Sequence, residues 1–198
     1  MKVISGFFHD ERAWVDFVLS KTALILASVV VIAAVYNFAV SMEEVNRKKE
    51  LDLLSTELLA FIDKAGSSPA EMKIGYSFNK EHLSHFQGHQ ADIRISGEYI
   101  VINADIDGRS IISAKTPAFR VYPYSPSVLY NDLRSEYGSN GSITEPVRAE
   151  HTDILGYLTS RTREVSFNSS EQVYIQKTFI YFTDNINVEK IGYVLVYQ

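Results

Sequence analysis

From Thr22 to Met42 the chain reads TALILASVVVIAAVYNFAVSM, 21 residues without one charged side chain. At about 1.5 Å of rise per residue, a helix of that length reaches about 30 Å, the thickness of a bilayer's hydrocarbon core. Asn37 and a few hydroxyls are the only polar interruptions. A surface helix of a globular protein keeps a polar face, whereas a helix apolar all round must be buried in protein or lipid. The segment is expected to be a membrane helix. A cleavable signal peptide is the rival reading. Ala39, Val40 and Ser41 give a cleavage-like spacing, and Lys2, Arg12 and Lys21 make a weakly basic start. The run is longer than the roughly 7–15 residues of a signal-peptide core, which favours retention.

The span divides the chain into a short leader or cytoplasmic segment over 1–21, the membrane helix over 22–42, an amphipathic helix over 43–65 and a β-rich domain over 70–198. Positive charge does not fix the orientation: Lys2, Arg12 and Lys21 precede the span, and Arg47, Lys48 and Lys49 follow it. Two glycosylation triplets, Asn140-Gly141-Ser142 and Asn168-Ser169-Ser170, permit a C-terminal domain outside the cell. The expectation is a cell-membrane protein with its N-terminus in the cytoplasm.

After the span, Leu51, Leu54, Leu58 and Phe61 recur at helical spacing, with Leu53, Leu59 and Ile62 beside them. No glycine or proline lies between Ala13 and Ala65, and Gly66 followed by Ser-Ser-Pro is a stop signal. One helix from about Glu11 to Ala65 follows, with its striped half packed on the domain that comes next.

Beyond Pro69 the pattern changes. ADIRIS, EYIVINA and SIISAKT read as strands, with Gly97 and Asp105-Ile106-Asp107-Gly108 as breaks. VYIQKTFIYF and VEKIGYVLVYQ read as a closing hairpin, whose last strand is apolar on both faces and so is expected to be covered on both. Between these groups, prolines 117, 123 and 126 mark an irregular link. The fold class is α+β: a long helix packed on an antiparallel sheet domain.

Composition narrows function. The chain of 198 residues has no cysteine, which excludes thiolate catalysis and disulfides, and a net charge of −5 that makes nucleic acid a poor partner. His82, His85 and His89 share a spacing that would hold a metal on a helix, but Gly88 weakens that helix and polar surface histidines are the plainer account. Asp105-x-Asp107-Gly108 opens like a calcium loop, yet Ile111 and Ile112 stand where oxygen ligands belong, so it reads as a turn. No nucleophile elbow, phosphate loop or dinucleotide fingerprint is present, and no cofactor or small-molecule substrate is indicated.

The stretch Asp10-Glu11-Arg12-Ala13-Trp14-Val15-Asp16-Phe17, followed by an apolar helix that runs on as an amphipathic one into a C-terminal sheet, resembles the type IV pilins. Archaeal pilin-like and accessory pilin proteins look most similar, with their short leaders and uniform spans. The resemblance implies a non-enzymatic subunit of a cell-surface filament or secretion-type assembly, partnered by the membrane and by other pilin-like subunits or copies of itself. It also implies that Asp16 pairs with a neighbouring subunit's N-terminus. Trp14 and Phe17 flank that acid, and Ala23 and Ala27 form a small-xxx-small pair on which helices can approach. The alternative is a monomeric, membrane-tethered extracellular module that binds a ligand or a metal. The short segment before the span argues against a sensor with a cytoplasmic signalling domain.

Overall fold

The computed structural model describes residues 7–78, 91–106, 108–183 and 187–198. The chain forms two compact units, Met1–Asn46 and Arg47–Gln198. Helix α1 (Phe7–Ser67) contributes its first part to one unit and its last part to the other. The second unit adds β1 (Met72–Tyr76), β2 (Ala91–Ile95), β3 (Ile100–Ile106), β4 (Arg109–Lys115), β5 (Val121–Tyr122), α2 (Pro126–Tyr137), α3 (His151–Arg161), β6 (Val165–Asn168), β7 (Val173–Thr183) and β8 (Val188–Tyr197). This is the α+β arrangement expected, a long helix packed against a largely antiparallel domain.

The strands make two sheets of four rather than one, in the orders β1-β7-β8-β5 and β4-β3-β2-β6. Every pairing is antiparallel except β5 with β8. β3 and β4 pair as a hairpin, with Ile106 opposite Arg109, and Gly108 takes a φ of 75° that a side chain would resist; Asp107 lies outside the described residues. The closing hairpin is the β7–β8 ladder, running from Tyr174 opposite Tyr197 to Thr183 opposite Val188.

Both sheets turn apolar side chains onto α1 between Leu51 and Ala65. Leu51, Leu58, Ile62 and Ala65 are 0% exposed and Leu54 is 1% exposed, in one core with Ile93 and Ile95 of β2, Ile100 and Ile102 of β3, and Val194 and Val196 of β8. The stripe differs slightly from the spacing read in the sequence. At about 100° per residue, the buried Leu54, Ala65, Leu58, Leu51 and Ile62 span an arc of about 80°, and Phe61 falls about 20° outside it, beyond Leu54. Phe61 accordingly sits at the margin, partly buried, with its ring 5.4 Å from Tyr76. Leu59 is also partly buried, and Leu53 is 67% exposed on the opposite face.

A second core fills the other face of the first sheet. Residues of opposite parity on the same strands, Tyr193 and Leu195 of β8 with Ile180 and Phe182 of β7, pack against Leu129 and Leu133 of α2 and Ile154 and Leu158 of α3. The last strand is therefore apolar on both faces because both are covered. Helix α2 occupies ground read from the sequence as an irregular link, and α3 ground for which the sequence suggested no element. Pro126 lies in the first turn of α2, behind Ser125 at the N-cap position, where proline's missing N–H costs nothing.

Polar contacts hold α1 at one axial position on the domain. The Ser55 hydroxyl, 0% exposed, lies 2.7 Å from that of Ser113 on β4, which donates to Asp52 Oδ1 at 3.2 Å. Lys115 Nζ meets the same carboxylate at 2.7 Å. At the end of the helix, the Lys177 ammonium from β7 donates to the Gly66 and Ser68 carbonyls, placing a cation on the negative end of the helix dipole. Gly66 lies within the helix, and a Cβ there would stand 2.2 Å from Cδ2 of Phe119. The helix stops at Ser67, where the Gly-Ser-Ser-Pro signal was expected to end it, and the glycine also permits close packing.

The hydrogen bond and charge of Lys115, against a smaller opposing effect of desolvation, hold the Asp52 carboxyl below its ordinary value of 3.8. A lowered folded-state value means that the unfolded chain takes up the proton first as pH falls. The pair's stabilising effect is thus present above the ordinary value and lost as pH drops through the folded one. Acid titration of Asp52→Asn should show less loss of stability across that acidic window than the wild type. Equal acid sensitivity in the two proteins would show that the pair does not couple α1 to β4.

Candidate functional site

Within Met1–Asn46, Trp14 and Phe17 are 68% and 60% exposed, and every residue from Trp14 to Ala39 has its side chain open to the surroundings. Exposure of that many large apolar groups to water would be strongly unfavourable, at about 1.5–3 kcal/mol for each side chain left unburied. Among the described residues this is one helix long and apolar enough to cross a membrane, which makes it compatible with membrane anchoring. Its hydroxyls turn inward on the backbone: Thr22 Oγ1 donates to the Val18 carbonyl at 2.9 Å, and Ser28 Oγ to that of Leu24 at 2.8 Å. These bonds satisfy the Thr22 and Ser28 donors within the helix, as hydrocarbon requires.

The helix sorts the candidate assembly residues into two faces. Successive positions turn by about 100°, so Asp16, Ser20, Ala23, Ala27 and Ala34 fall within about 60° of arc. Trp14, Phe17 and Lys21 lie on the other side, with the Lys21 ammonium 5.5 Å from the centre of the Phe17 ring. Asp16 thus shares a face with the small residues and not with the aromatic pair named beside it in the sequence. Five positions and about 140° separate it from Lys21 of its own chain. Ser20 and Ala34 were missed from the sequence, although helical spacing from Asp16 would have found them.

The remaining candidates fall elsewhere. Leu51, Leu54 and Leu58 lie in the domain core and Phe61 at its margin. His82, His85 and His89 lie outside the described residues. Among the described residues no group of three or more histidines and carboxylates is placed to hold a metal. Asn140 is half-buried and Asn168 exposed.

Two further polar arrangements went unnoticed in the sequence. Glu164 accepts from the Tyr99 hydroxyl at 2.8 Å and from Arg94 Nη1 at 3.2 Å, and these bonds hold its carboxyl below the ordinary range. Tyr122, Tyr124 and Tyr193 cluster in the second core, with ring centres 6.0 and 5.3 Å from that of Tyr122. Burial pushes all three phenols up, so they stay neutral at physiological pH and act as packing groups. A cleft of about 480 Å³ opens beside β2 and β6, lined by Ala91, Asp92, Ser166, Phe167, Asn168 and Ser169. Among the described residues its one ionisable group is Asp92, engaged by Arg94 at 3.2 Å. Comparison of the chain with protein-family models, curated proteins and solved structures finds no match.

Proposed function

We propose that this chain is a non-enzymatic, pilin-like subunit or accessory component of a cell-surface filament or secretion-type assembly, of the archaeal kind, anchored by its N-terminal helix. The observation that carries the reading is the division of α1. Its last turns are committed to the domain's own core through Leu51, Leu54, Leu58, Ile62 and Ala65, while its first part leaves an apolar surface open for lipid or for other helices. A lone tether needs no small-residue face with an acid at one end. On that face Ala23 and Ala27 allow close backbone approach, and Asp16 supplies a charge that in a membrane calls for a cation from a neighbour. In this reading the N-terminus is cytoplasmic and residues after Met42 lie outside the cell.

The second reading, a monomeric tethered extracellular module binding a ligand or metal, draws on the cleft beside β2 and β6. Photo-crosslinking in native membranes separates the two. Probes at Ser20, Ala23, Ala27 and Ala34 should give protein adducts, and probes at Trp14 and Phe17 on the opposite face should give few. Adducts to lipid alone at every position would favour the tethered module. Protease added to intact cells should digest the part after Met42, and full protection would overturn the orientation.

A further inference from the structure

The two Asn-X-Ser triplets look alike in sequence, and the fold puts them in opposite settings. At the first, Asn140 is half-buried and Gly141 is buried with a φ of 75°, where a Cβ would stand 2.8 Å from Ile180 and 3.2 Å from Leu133. The Gly141 N–H donates to the Glu145 carbonyl at 3.0 Å, and its own carbonyl accepts from the Tyr181 N–H at 2.8 Å. The Ser142 hydroxyl is taken up by Thr144 at 3.0 Å and by the Glu145 N–H at 3.2 Å. Drawing this triplet into an enzyme's groove means detaching it from β7 and from the second core.

The second triplet needs no such opening. Asn168 is exposed and ends β6, with Ser169 and Ser170 in the turn that follows. Its main chain is held by the Gln198 carboxamide, which accepts from the Asn168 N–H at 2.9 Å and donates to the Asn168 carbonyl at 2.7 Å. Asn168 Oδ1 accepts from the Ser170 hydroxyl at 2.7 Å, so the side chains a transferase reads stand together at the surface. Among the described residues the amide nitrogen donates only to Glu171 at 3.1 Å, a bond between exposed groups worth little against water.

We propose that Asn168 is an N-glycosylation site and that Asn140 is not, an inference that rests on the domain lying outside the cell. The donor is an oligosaccharide linked to a polyisoprenyl phosphate and presented by a membrane oligosaccharyltransferase. Asn168 Nδ2 attacks the sugar's anomeric carbon. The new C–N bond forms as the C–O bond to the phosphate breaks, the lipid phosphate departs with its electron pair, and the amide loses one proton to the enzyme's base. A glycan there would also shield β6, an edge strand paired on one side only, from pairing with other chains.

Site-resolved mass spectrometry of peptides from the full chain, extracted from its own membranes, tests this. The peptide bearing Asn168 should carry the mass of a glycan, and the peptide bearing Asn140 should have its sequence mass. Ser170→Ala should return the Asn168 peptide to its sequence mass, and Ser170→Thr, which keeps the hydroxyl, should retain the sugar. An unmodified Asn168, or equal modification of both sites, overturns the proposal. Protease treatment of the same intact cells separates the causes. A digested domain with a bare Asn168 refutes the site alone, and a protected domain refutes the outside placement with it.

Discussion

Leu58→Ala should lower the unfolding free energy of a soluble 43–198 fragment by about 2–5 kcal/mol, the usual cost of truncating a leucine in a packed core. Leu58 is 0% exposed and lies where α1 meets both sheets, so its removal leaves a cavity that two rigid sheets cannot easily close. Leu54 at 1% exposed should behave alike. Leu53 is one position away and 67% exposed, and Leu53→Ala should change stability by less than about 0.5 kcal/mol. Denaturant unfolding of the three variants reads the contrast directly. Domains of this size hold about 5–15 kcal/mol in all, so the core substitutions remove a large share of it. A loss below about 0.5 kcal/mol for Leu58→Ala would mean that the stripe serves some other surface than this core.

The same helix shows how far sequence carries. Its length, its charge-free run from Thr22 to Met42 and its buried stripe follow from local pattern, because a helix closes its own hydrogen bonds and its faces repeat every 3.6 residues. Phe61 sits at the margin and Ile62 inside because helical spacing alone does not fix where the edge of a buried arc falls. The β7–β8 hairpin was legible because its strands are neighbours in the chain. The doubly covered β8 was legible because Val194 and Val196 alternate with Tyr193, Leu195 and Tyr197. The split into two sheets was not, since β1 pairs with β7 at a register, Met72 opposite Lys177, that no local signal encodes. Helices α2 and α3 were hidden for another reason. Each buries only two leucine or isoleucine side chains, and Pro126, which reads as a break in strand pairing, in fact starts α2.

The proposed assembly face was partly legible. Asp16, Ala23 and Ala27 stand on one side of α1, while Trp14 and Phe17 stand with Lys21 on the other. That separation sharpens what Asp16 can do. A carboxylate near the start of a span is costly in lipid and gains from a fixed cation, and its own chain's Lys21 points elsewhere around the helix. A neighbouring subunit's amine or lysine would meet the acid and set the axial register between helices, since breaking such a pair leaves a charge stranded. Asp16→Asn keeps the shape and removes the charge; Asp16→Ala removes both. If assembly depends on the charge, both variants should lose it to a similar extent, with the folded domain unchanged.

Chemical crosslinking of wild type, Asp16→Asn and Asp16→Ala in native membranes, followed by sizing of the extracted complexes, tests the central claim most directly. Helix-mediated assembly predicts multimeric adducts for the wild type and a shift to the monomer in both variants. A wild type that gives only monomer, or variants that assemble as well as the wild type does, would contradict it.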